Sequence, residues 1–388
     1  MATHPQPQLE FPAALPSYRP AAGLPLLDAR QRGTTFHAVP VKAILNSPAT
    51  TGMGFWSLNP YVGCEFGCTY CYARETHKWR VERAEGARAV DGPPWLAFER
   101  RILVKTTAAA VLRRTLCPAK LQGGSLVIGT ATDPYQPAER RFRLTRSILE
   151  ALLGWRGLTV GIITKSPLVV RDLDLLCRLA ERHDLTVNLS LASMDASLLR
   201  RLEARTPTPR ARLRALARLT GAGIHAGLLV APILPGLTDS RASLAALMAA
   251  AREAGARFVV GFPLRLGPAA RATLLPHLAR EFPELARRYA RHYDGRDNPS
   301  RAYADALARR LRSLQREYGF PAHEGRRRHR TGTGTGAGAG AGAGAASRQA
   351  AAEEQVAFPW DEPAMVDGQG STGIGDIRSS VGPVAVHR

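Results

Sequence analysis

The sequence predicts an α/β fold arranged as a partial (β/α)6 barrel. Five short apolar runs, typical of buried strands, alternate with longer amphipathic segments, typical of helices. The apolar runs lie at 126–129, 158–164, 185–191, 224–231 and 257–262, and the amphipathic segments at 143–153, 168–183, 209–223 and 240–254. Strands separated by helices form parallel sheets, and a further strand at 57–63 gives six units.

The flanking sequence predicts further elements. Repeated prolines without periodicity make the first 35 residues an extended or disordered arm. Local patterns then predict a strand within 36–45, a helix at 80–94, a strand at 101–105 and a helix at 107–116. Three helical patterns follow the barrel and would close or cap its open side, at 269–280, 283–293 and 300–318.

These patterns divide the chain into four segments. They are an N-terminal arm (1–50), the barrel (51–267), a C-terminal helical extension (268–323) and a tail (324–388). The tail starts with a basic run and continues into a stretch in which glycine alternates with threonine or alanine. Such a stretch cannot bury a core, so a flexible, disordered tail is expected.

The charge of the chain has two interpretations. A formal charge of +21 and a pI of 10.8 suit a nucleic-acid-binding protein if the charge lies on one face. Only five of the 53 basic residues are lysines, however, and a GC-rich genome produces this skew without selection for binding. A lysine retained in such a chain, Lys165 among them, is a candidate for a role that needs a compact charge. We expect no membrane span, since no run approaches the roughly 18 apolar residues that one requires.

Three of the five cysteines lie close together in the loop NPYVGCEFGCTYCYAR. Cys64, Cys68 and Cys71 have the spacing C-x3-C-x2-C, and Gly63 and Gly67 precede the first two. Glycine allows a backbone that wraps around a bulky ligand to avoid Cβ clashes. Closely spaced thiolates are the usual ligands of iron–sulfur clusters, and three cysteines leave one iron of a four-iron cluster open for chemistry.

Other interpretations of the cysteine loop remain open on spacing alone. C-x2-C pairs also bind structural zinc, here with His77 as a fourth ligand, and C-x-x-C can be a redox dithiol. Disulfides are not expected. The N-terminus lacks the basic, apolar and small-residue order of a secretory signal, so we expect a cytoplasmic protein with reduced thiols.

The same motif, NPYVGCEFGCTYCYAR, resembles the cluster loop of the radical S-adenosylmethionine (radical SAM) enzymes. It is most similar to the spore photoproduct lyase-like branch, in its actinobacterial form, whose members are often labelled DNA-repair photolyases. The resemblance spans about residues 59–239 and implies a TIM-like barrel, a [4Fe–4S] cluster on the three cysteines, and S-adenosylmethionine at the open iron. One electron would then cleave S-adenosylmethionine and leave a 5′-deoxyadenosyl radical that abstracts hydrogen from a substrate. A flavodoxin- or ferredoxin-type electron donor is implied as well.

The resemblance also implies cofactor-binding residues at the carboxyl ends of the strands, where barrel enzymes carry their active sites. Thr132 matches a hydroxyl residue used against bound S-adenosylmethionine, and Ser190 matches a serine near it. Lys165 matches a lysine that contacts the carboxylate of S-adenosylmethionine. Ala231 matches a position that packs on the adenosyl group. Tyr72 matches an aromatic residue that packs on adenine. Lys165 is also unusual in itself, because a lysine at the end of a buried strand needs an anion.

The turn at 129–139 has more polar residues than a plain connector needs. Asp133 and Glu139 are therefore candidates for contact with cofactor or substrate, and the alternative is a turn that caps the next helix. Thr130 stands where the lyases carry a hydrogen-donating cysteine, so reversal of a thymine dimer is not expected. Cys117 and Cys177 are expected to be inert packing residues.

The sequence thus predicts a radical SAM enzyme that abstracts hydrogen, with nucleic acid as the leading substrate class. The rival from another class is a non-catalytic, zinc-binding (Cys3His) nucleic-acid-binding protein. The barrel favours the enzyme, because a zinc module has no need of six βα units.

Overall fold

The computed structural model describes residues 26–29 (backbone only), 34–76, 94–121 (backbone only at 94–96) and 123–321. These residues belong to one compact unit, Met1–Ala343, and a second unit, Gly344–Arg388, lies outside the described ranges. His77, the predicted helix at 80–94 apart from its last residue, and the predicted tail also lie outside them.

The described residues form eleven strands in two sheets. They are β1 Leu26–Ala29, β2 Thr35–Ala38, β3 Leu45–Asn46, β4 Trp56–Leu58, β5 Tyr61–Val62, β6 Arg101–Val104, β7 Leu126–Ile128, β8 Thr159–Thr164, β9 Asp184–Ser190, β10 Ala226–Ile233 and β11 Val259–Pro263. The larger sheet has the order β11-β10-β9-β8-β7-β4-β3, and the smaller β1-β2-β6-β5.

Six neighbouring strands of the larger sheet, β4 and β7 to β11, are parallel and follow chain order. This confirms the predicted α/β fold with six βα units. Within the described residues the sheet is open, because β11 is one edge and the short antiparallel strand β3 is the other. The carboxyl ends of all six parallel strands therefore meet at one rim, where a binding site can form.

The predicted first strand, 57–63, is wrong as a single strand. Trp56–Leu58 joins the larger sheet, whereas Tyr61–Val62 pairs with β6 in the smaller one. Asn59 and Pro60 separate the two, and proline has no N–H with which to continue a ladder. The chain therefore changes sheets immediately before the cysteine loop, and this bend directs the loop to the rim.

The smaller sheet recruits part of the predicted arm. β2 pairs in parallel with β6 and antiparallel with β1, so the arm adds strands to the fold. The sheet covers an apolar cluster that includes Phe36, Tyr61, Ile102, Val104, Ala138 and Leu144. Each buried Phe, Ile, Val or Leu side chain among them contributes roughly 1.5–3 kcal/mol relative to an exposed one.

The helices match the predicted segments, except that one predicted helix begins differently and three short helices were not predicted. They are α1 Pro48–Thr51, α2 Ala108–Thr115, α3 Glu139–Phe142, α4 Leu144–Leu152, α5 Leu173–Ala180, α6 Ala196–Leu202, α7 Pro209–Gly221, α8 Arg241–Glu253, α9 Pro268–Glu281, α10 Pro283–His292 and α11 Arg301–Glu317, beside a helical turn at 74–76. The predicted helix at 168–183 begins as a 3-10 turn at Pro167–Asp172. α1, α3 and α6 were not predicted; the N-cap of α6, Asp195, accepts from two backbone N–H groups.

The C-terminal helices are fixed to the rim by tyrosines. The hydroxyl of Tyr289 donates to the carbonyl of Pro235 (2.8 Å), and that of Tyr303 donates to Asp239 (3.0 Å). The hydroxyl of Tyr293 donates to the carbonyl of Leu264 (3.0 Å). These bonds hold the segments that follow β10 and β11. No helix among the described residues is both long and apolar enough to span a membrane.

Candidate active site

The cysteine loop depends on two glycines with left-handed backbone. Gly63 and Gly67 have φ values of +86° and +57°. A Cβ at Gly63 would lie 2.6 Å from the carbonyl oxygen of Phe98, and one at Gly67 would collide with the carboxylate of Glu99. This confirms the expectation that both positions require glycine.

Hydrogen bonds of Arg74 and Thr69 fix the cysteine loop against the rest of the protein. The buried guanidinium of Arg74 donates to the carbonyls of Gly67 (3.3 Å) and Cys68 (3.1 Å) and pairs with Glu99 (3.3 Å). The N–H and hydroxyl of Thr69 both donate to the carbonyl of Leu202, at the end of α6 (3.1 and 3.2 Å). The loop is therefore held in place by the protein itself.

The three cysteines are free thiols, with Cys64 and Cys68 buried and Cys71 half-buried. Burial raises the pKa of all three, and the neighbouring carboxylates of Asp133 and Glu203 raise the pKa of Cys64 and Cys68 further. Thiols in such surroundings ionise when a cationic metal centre offsets the burial. By residue type and C-x3-C-x2-C spacing the three thiols suit an iron–sulfur cluster, although the described residues include no group of three His, Cys, Asp or Glu side chains already arranged around a metal position.

Thr132 contacts the cysteine loop directly. Its hydroxyl donates to the carbonyl of Gly63 (2.6 Å), and the amide of Gln136 donates both to that carbonyl (3.3 Å) and to the hydroxyl (3.0 Å). The amide oxygen of Gln136 accepts the N–H of Glu65 (2.9 Å). The turn at 129–139 thus clamps the loop, and Thr132 bonds to the residue that precedes Cys64.

Lys165 follows β8, whose side chains alternate between a buried and a half-buried face. Its ammonium donates to Glu203 (2.8 Å), to the hydroxyl of Tyr70 (3.1 Å) and to the hydroxyl of Ser190 (3.4 Å). Burial lowers the pKa of Lys165, and the charge of Cys68 opposes this. Tyr70 stands between the second and third cysteines, so Lys165 is joined to the cysteine loop.

The remaining predicted residues lie along the same rim. The hydroxyl of Ser190 donates to the carbonyl of Ala231 (3.1 Å), which joins the ends of β9 and β10. Tyr72 is 42% exposed, and its hydroxyl donates to the carbonyl of Thr130. The exposed ring leaves an apolar surface beside the third cysteine, a suitable platform for a planar ligand.

Asp133 and Glu139 have internal roles. Asp133 accepts the backbone N–H of Lys165 (2.7 Å), the hydroxyl of Thr164 (2.6 Å) and the N–H of Tyr135 (2.9 Å). Glu139 is fully buried, pairs with Arg171 (2.9 Å) and accepts the backbone N–H of Thr145 (3.0 Å). Of the two interpretations of this turn, the contacts favour the structural one.

Thr130 and the two cysteines outside the loop lie in different surroundings. The hydroxyl of Thr130 is bonded to that of Ser57 (2.6 Å) in a buried pair. Cys177 is half-buried in α5, whereas Cys117 is exposed, so the prediction that Cys117 packs in the interior is wrong. It follows α2 directly, where the chain runs over the surface.

Sequence reasoning missed two charged residues of the site, Glu203 and Arg212. Both are fully buried and pair at 2.5 Å. Glu203 follows α6 and looks like the exposed end of an amphipathic helix, while Arg212 lies in an arginine-rich helix. The one available signal was the turn TPTP at 206–209, which marks a rigid connection between two helices.

The sequence matches one family model and several uncharacterized proteins. The family model of the Radical SAM superfamily matches residues 58–248. An uncharacterized protein of Mycobacterium tuberculosis is 37% identical over 288 residues, which cover 74% of this chain and 82% of that protein. An uncharacterized protein of Methanocaldococcus jannaschii is 30% identical over 182 residues, covering 47% of this chain and 61% of that protein.

The fold is also similar to that of a solved spore photoproduct lyase complexed with dinucleoside spore photoproduct. The TM-score is 0.53 at 17% identity, over 77% of this chain and 85% of the lyase chain. With the cysteine loop at the rim of six parallel strands and the family match over the same strands, the chain belongs to the Radical SAM superfamily, whose members use a [4Fe–4S] cluster and S-adenosylmethionine.

Proposed function

We propose that this radical SAM enzyme holds its cluster on Cys64, Cys68 and Cys71 and abstracts hydrogen from a nucleic-acid substrate. S-adenosylmethionine is bound by five residues along the rim, namely Tyr72, Thr132, Lys165, Ser190 and Ala231. When bound, the reduced cluster supplies the electron that cleaves S-adenosylmethionine into methionine and a 5′-deoxyadenosyl radical. The electron comes from a flavodoxin- or ferredoxin-type donor in the cytoplasm.

The observation that carries the proposal is the chain of contacts from Tyr70 through Lys165 and Ser190 to Ala231. It joins the cysteine loop to the ends of β8, β9 and β10, so a ligand at the loop meets a cation, a hydroxyl and a small apolar side chain. An amino acid carboxylate suits the ammonium of Lys165, and an adenosyl group suits Ala231 and the exposed ring of Tyr72.

Nucleic acid as the substrate rests on the net charge of +21 and on the similarity to the lyase fold. Thr130 in place of a thiol supports a reaction other than thymine-dimer reversal, because a hydroxyl O–H bond is a poor hydrogen-atom donor beside a thiol.

The first test is cleavage of S-adenosylmethionine. The protein is purified without oxygen, reconstituted with iron and sulfide, and incubated with dithionite and S-adenosylmethionine. We expect 5′-deoxyadenosine by mass spectrometry, its loss in Cys68→Ala, and its retention in Cys177→Ala, a matched cysteine away from the loop. A colourless protein that binds zinc and forms no 5′-deoxyadenosine would instead support the zinc-binding alternative.

The substrate class is tested with deuterium. DNA and RNA from cells grown in heavy water are added separately, with protein from the same cells as a control. Transfer of deuterium into 5′-deoxyadenosine from a nucleic acid supports the proposal. Transfer from the protein fraction alone contradicts it.

A further inference from the structure

Three charged side chains, two of them fully buried, meet behind the rim. Glu203 is fully buried, and its two carboxylate oxygens have different cationic partners. One oxygen accepts from the ammonium of Lys165 (2.8 Å), and the other pairs with the guanidinium of Arg212 (2.5 Å) and accepts from the hydroxyl of Thr206 (2.8 Å). The two cations therefore share a single carboxylate.

The two cations are not equivalent. Arg212 is fully enclosed, since its other N–H groups donate to the carbonyls of Pro207 (2.9 Å) and Ser190 (2.8 Å). The side chain of Lys165 is 15% exposed. The lysine thus faces the proposed ligand site, whereas the arginine lies behind it.

Counting one charge on each group, Lys165, Arg212 and Glu203 carry a net charge of +1, from two cations and one anion. Asp133 is the next carboxylate, but it accepts the backbone N–H of Lys165 and forms no ion pair with the ammonium. The longest hydrogen bond of the ammonium, 3.4 Å to Ser190, is the one a ligand can replace at least cost.

We propose that Arg212 is a positioning residue that keeps the charge of Lys165 available to a carboxylate ligand. By occupying one oxygen of Glu203, Arg212 prevents this carboxylate from neutralising the lysine completely. The inference rests on the proposed function, in which Lys165 binds the carboxylate of S-adenosylmethionine. It adds that Arg212, which cannot reach the ligand, determines how strongly Lys165 attracts the carboxylate of the ligand.

The test compares two ligands on the reconstituted protein without reductant, so that no cleavage occurs. S-adenosylmethionine has the carboxylate, and 5′-methylthioadenosine lacks the whole amino acid part. In Arg212→Gln, Glu203 acts on Lys165 alone, and we expect the Kd for S-adenosylmethionine to rise about 10-fold or more, with that for 5′-methylthioadenosine changing less than about 2-fold. Iron content and thermal unfolding are measured for each variant.

Two variants separate charge from structure. Arg212→Lys keeps the charge, so the Kd for S-adenosylmethionine should stay within about 3-fold of the original. The double variant Glu203→Gln with Arg212→Gln removes one charge of each sign and should recover the affinity to a similar degree. Recovery of this kind is not expected of a purely structural role, because the double variant has lost more buried contacts than the single one.

The matched control is Arg171→Gln, since Arg171 also pairs with a fully buried glutamate, Glu139 (2.9 Å). It should alter stability without altering either Kd. The inference is wrong if Arg212→Gln weakens both ligands equally, or if the double variant is as weak as the single one. Failure of the proposed function looks different: the unaltered protein would not bind S-adenosylmethionine, or Lys165→Gln would leave its affinity unchanged.

Discussion

Two fully buried glutamates, Glu139 and Glu203, have nearly the same partners in different settings. Each accepts from a tyrosine hydroxyl and pairs with an arginine, the partners being Tyr61 and Arg171 for Glu139, and Tyr70 and Arg212 for Glu203. Glu139 completes its shell with the backbone N–H groups of Thr145 and Arg146. Glu203 has Lys165 instead.

This difference separates a carboxylate that stabilises the fold from one that serves a site. Arg171 has a partly exposed side chain (20%), but its guanidinium pairs with both Glu139 and Asp172. The side chain of Lys165 is exposed to a similar degree (15%), but it lies at the end of β8 beside Tyr70 of the cysteine loop, where its ammonium can also bind a ligand. A buried ion pair is by itself weak support for function, and what distinguishes the second cluster is the one member that reaches the rim.

The largest effect should come from Lys165, the residue that distinguishes the cluster around Glu203 from the cluster around Glu139. Lys165→Gln removes the charge that faces the ligand, and we expect the rate of 5′-deoxyadenosine formation to fall about 10³-fold. Arg171→Gln, in the other cluster, should leave that rate within about 3-fold of the original. Equal losses in both variants would remove the functional distinction between the clusters.

The next effect should appear in stability alone. Glu139→Ala leaves Arg171 without one of its two carboxylates and Tyr61 without its acceptor, which should cost about 3 kcal/mol of unfolding free energy. Urea denaturation measures the loss, and equilibrium dialysis should show an unchanged Kd for S-adenosylmethionine in the folded protein. A Kd raised 10-fold or more would show that this cluster also serves the site.

Two glycines allow the cysteine loop to be compared with a surface turn. Gly67, in the loop that carries Tyr70, and Gly157, in a surface turn, both have positive φ (+57° and +73°), but a Cβ at Gly157 meets nothing within 4 Å. Gly157→Ala should cost about 1 kcal/mol from backbone strain alone. Gly67→Ala adds a clash with Glu99, so about 2 kcal/mol and a clear fall in iron per chain are expected. Equal iron content in the two variants would contradict this.

The smallest effect should come from His183, a buried group in neither cluster. Its Nδ1 accepts the N–H of Leu158 (3.2 Å), and its Nε2 lies 3.1 Å from the carbonyl of Leu152. Burial lowers the pKa of His183. The unfolded chain therefore takes up a proton near pH 6.5 while the folded chain does so only at lower pH, and stability falls as the pH drops below that value.

The expected loss is below about 1 kcal/mol over the first pH unit under 6.5. His183→Gln should flatten this part of a urea-denaturation pH profile. An unchanged slope in His183→Gln would assign the pH dependence to other groups.

The pattern of apolar runs was sufficient to predict five of the six parallel strands, because buried parallel strands are nearly continuous in hydrophobicity. It failed where a single residue redirects the chain. Pro60 ends β4 and allows β5 to join the other sheet, although 57–63 has the composition of one strand. α6 was missed because seven residues are too short for a helical period to stand out.

The residues of the site likewise include some that the sequence could predict and some that it could not. Lys165 could be predicted because a lysine at the end of an apolar strand is unusual on local grounds. Glu203 could not, since its partners Lys165, Tyr70 and Arg212 lie 38, 133 and 9 residues away and its own neighbours resemble a solvent-facing helix end. Local sequence reveals an unusual residue but not a meeting of distant ones.

One contact at the rim bears on the order in which the protein is completed. The carboxylate of Glu75, in the turn after the third cysteine, accepts the N–H of Ala269 at the start of α9 (2.5 Å), across 194 residues of sequence. Because synthesis proceeds from the N-terminus, Glu75 emerges long before the helix to which it bonds. The turn after the third cysteine therefore gains this contact only late in translation, whereas the partners of the loop itself, Glu99 and Leu202, are synthesised earlier.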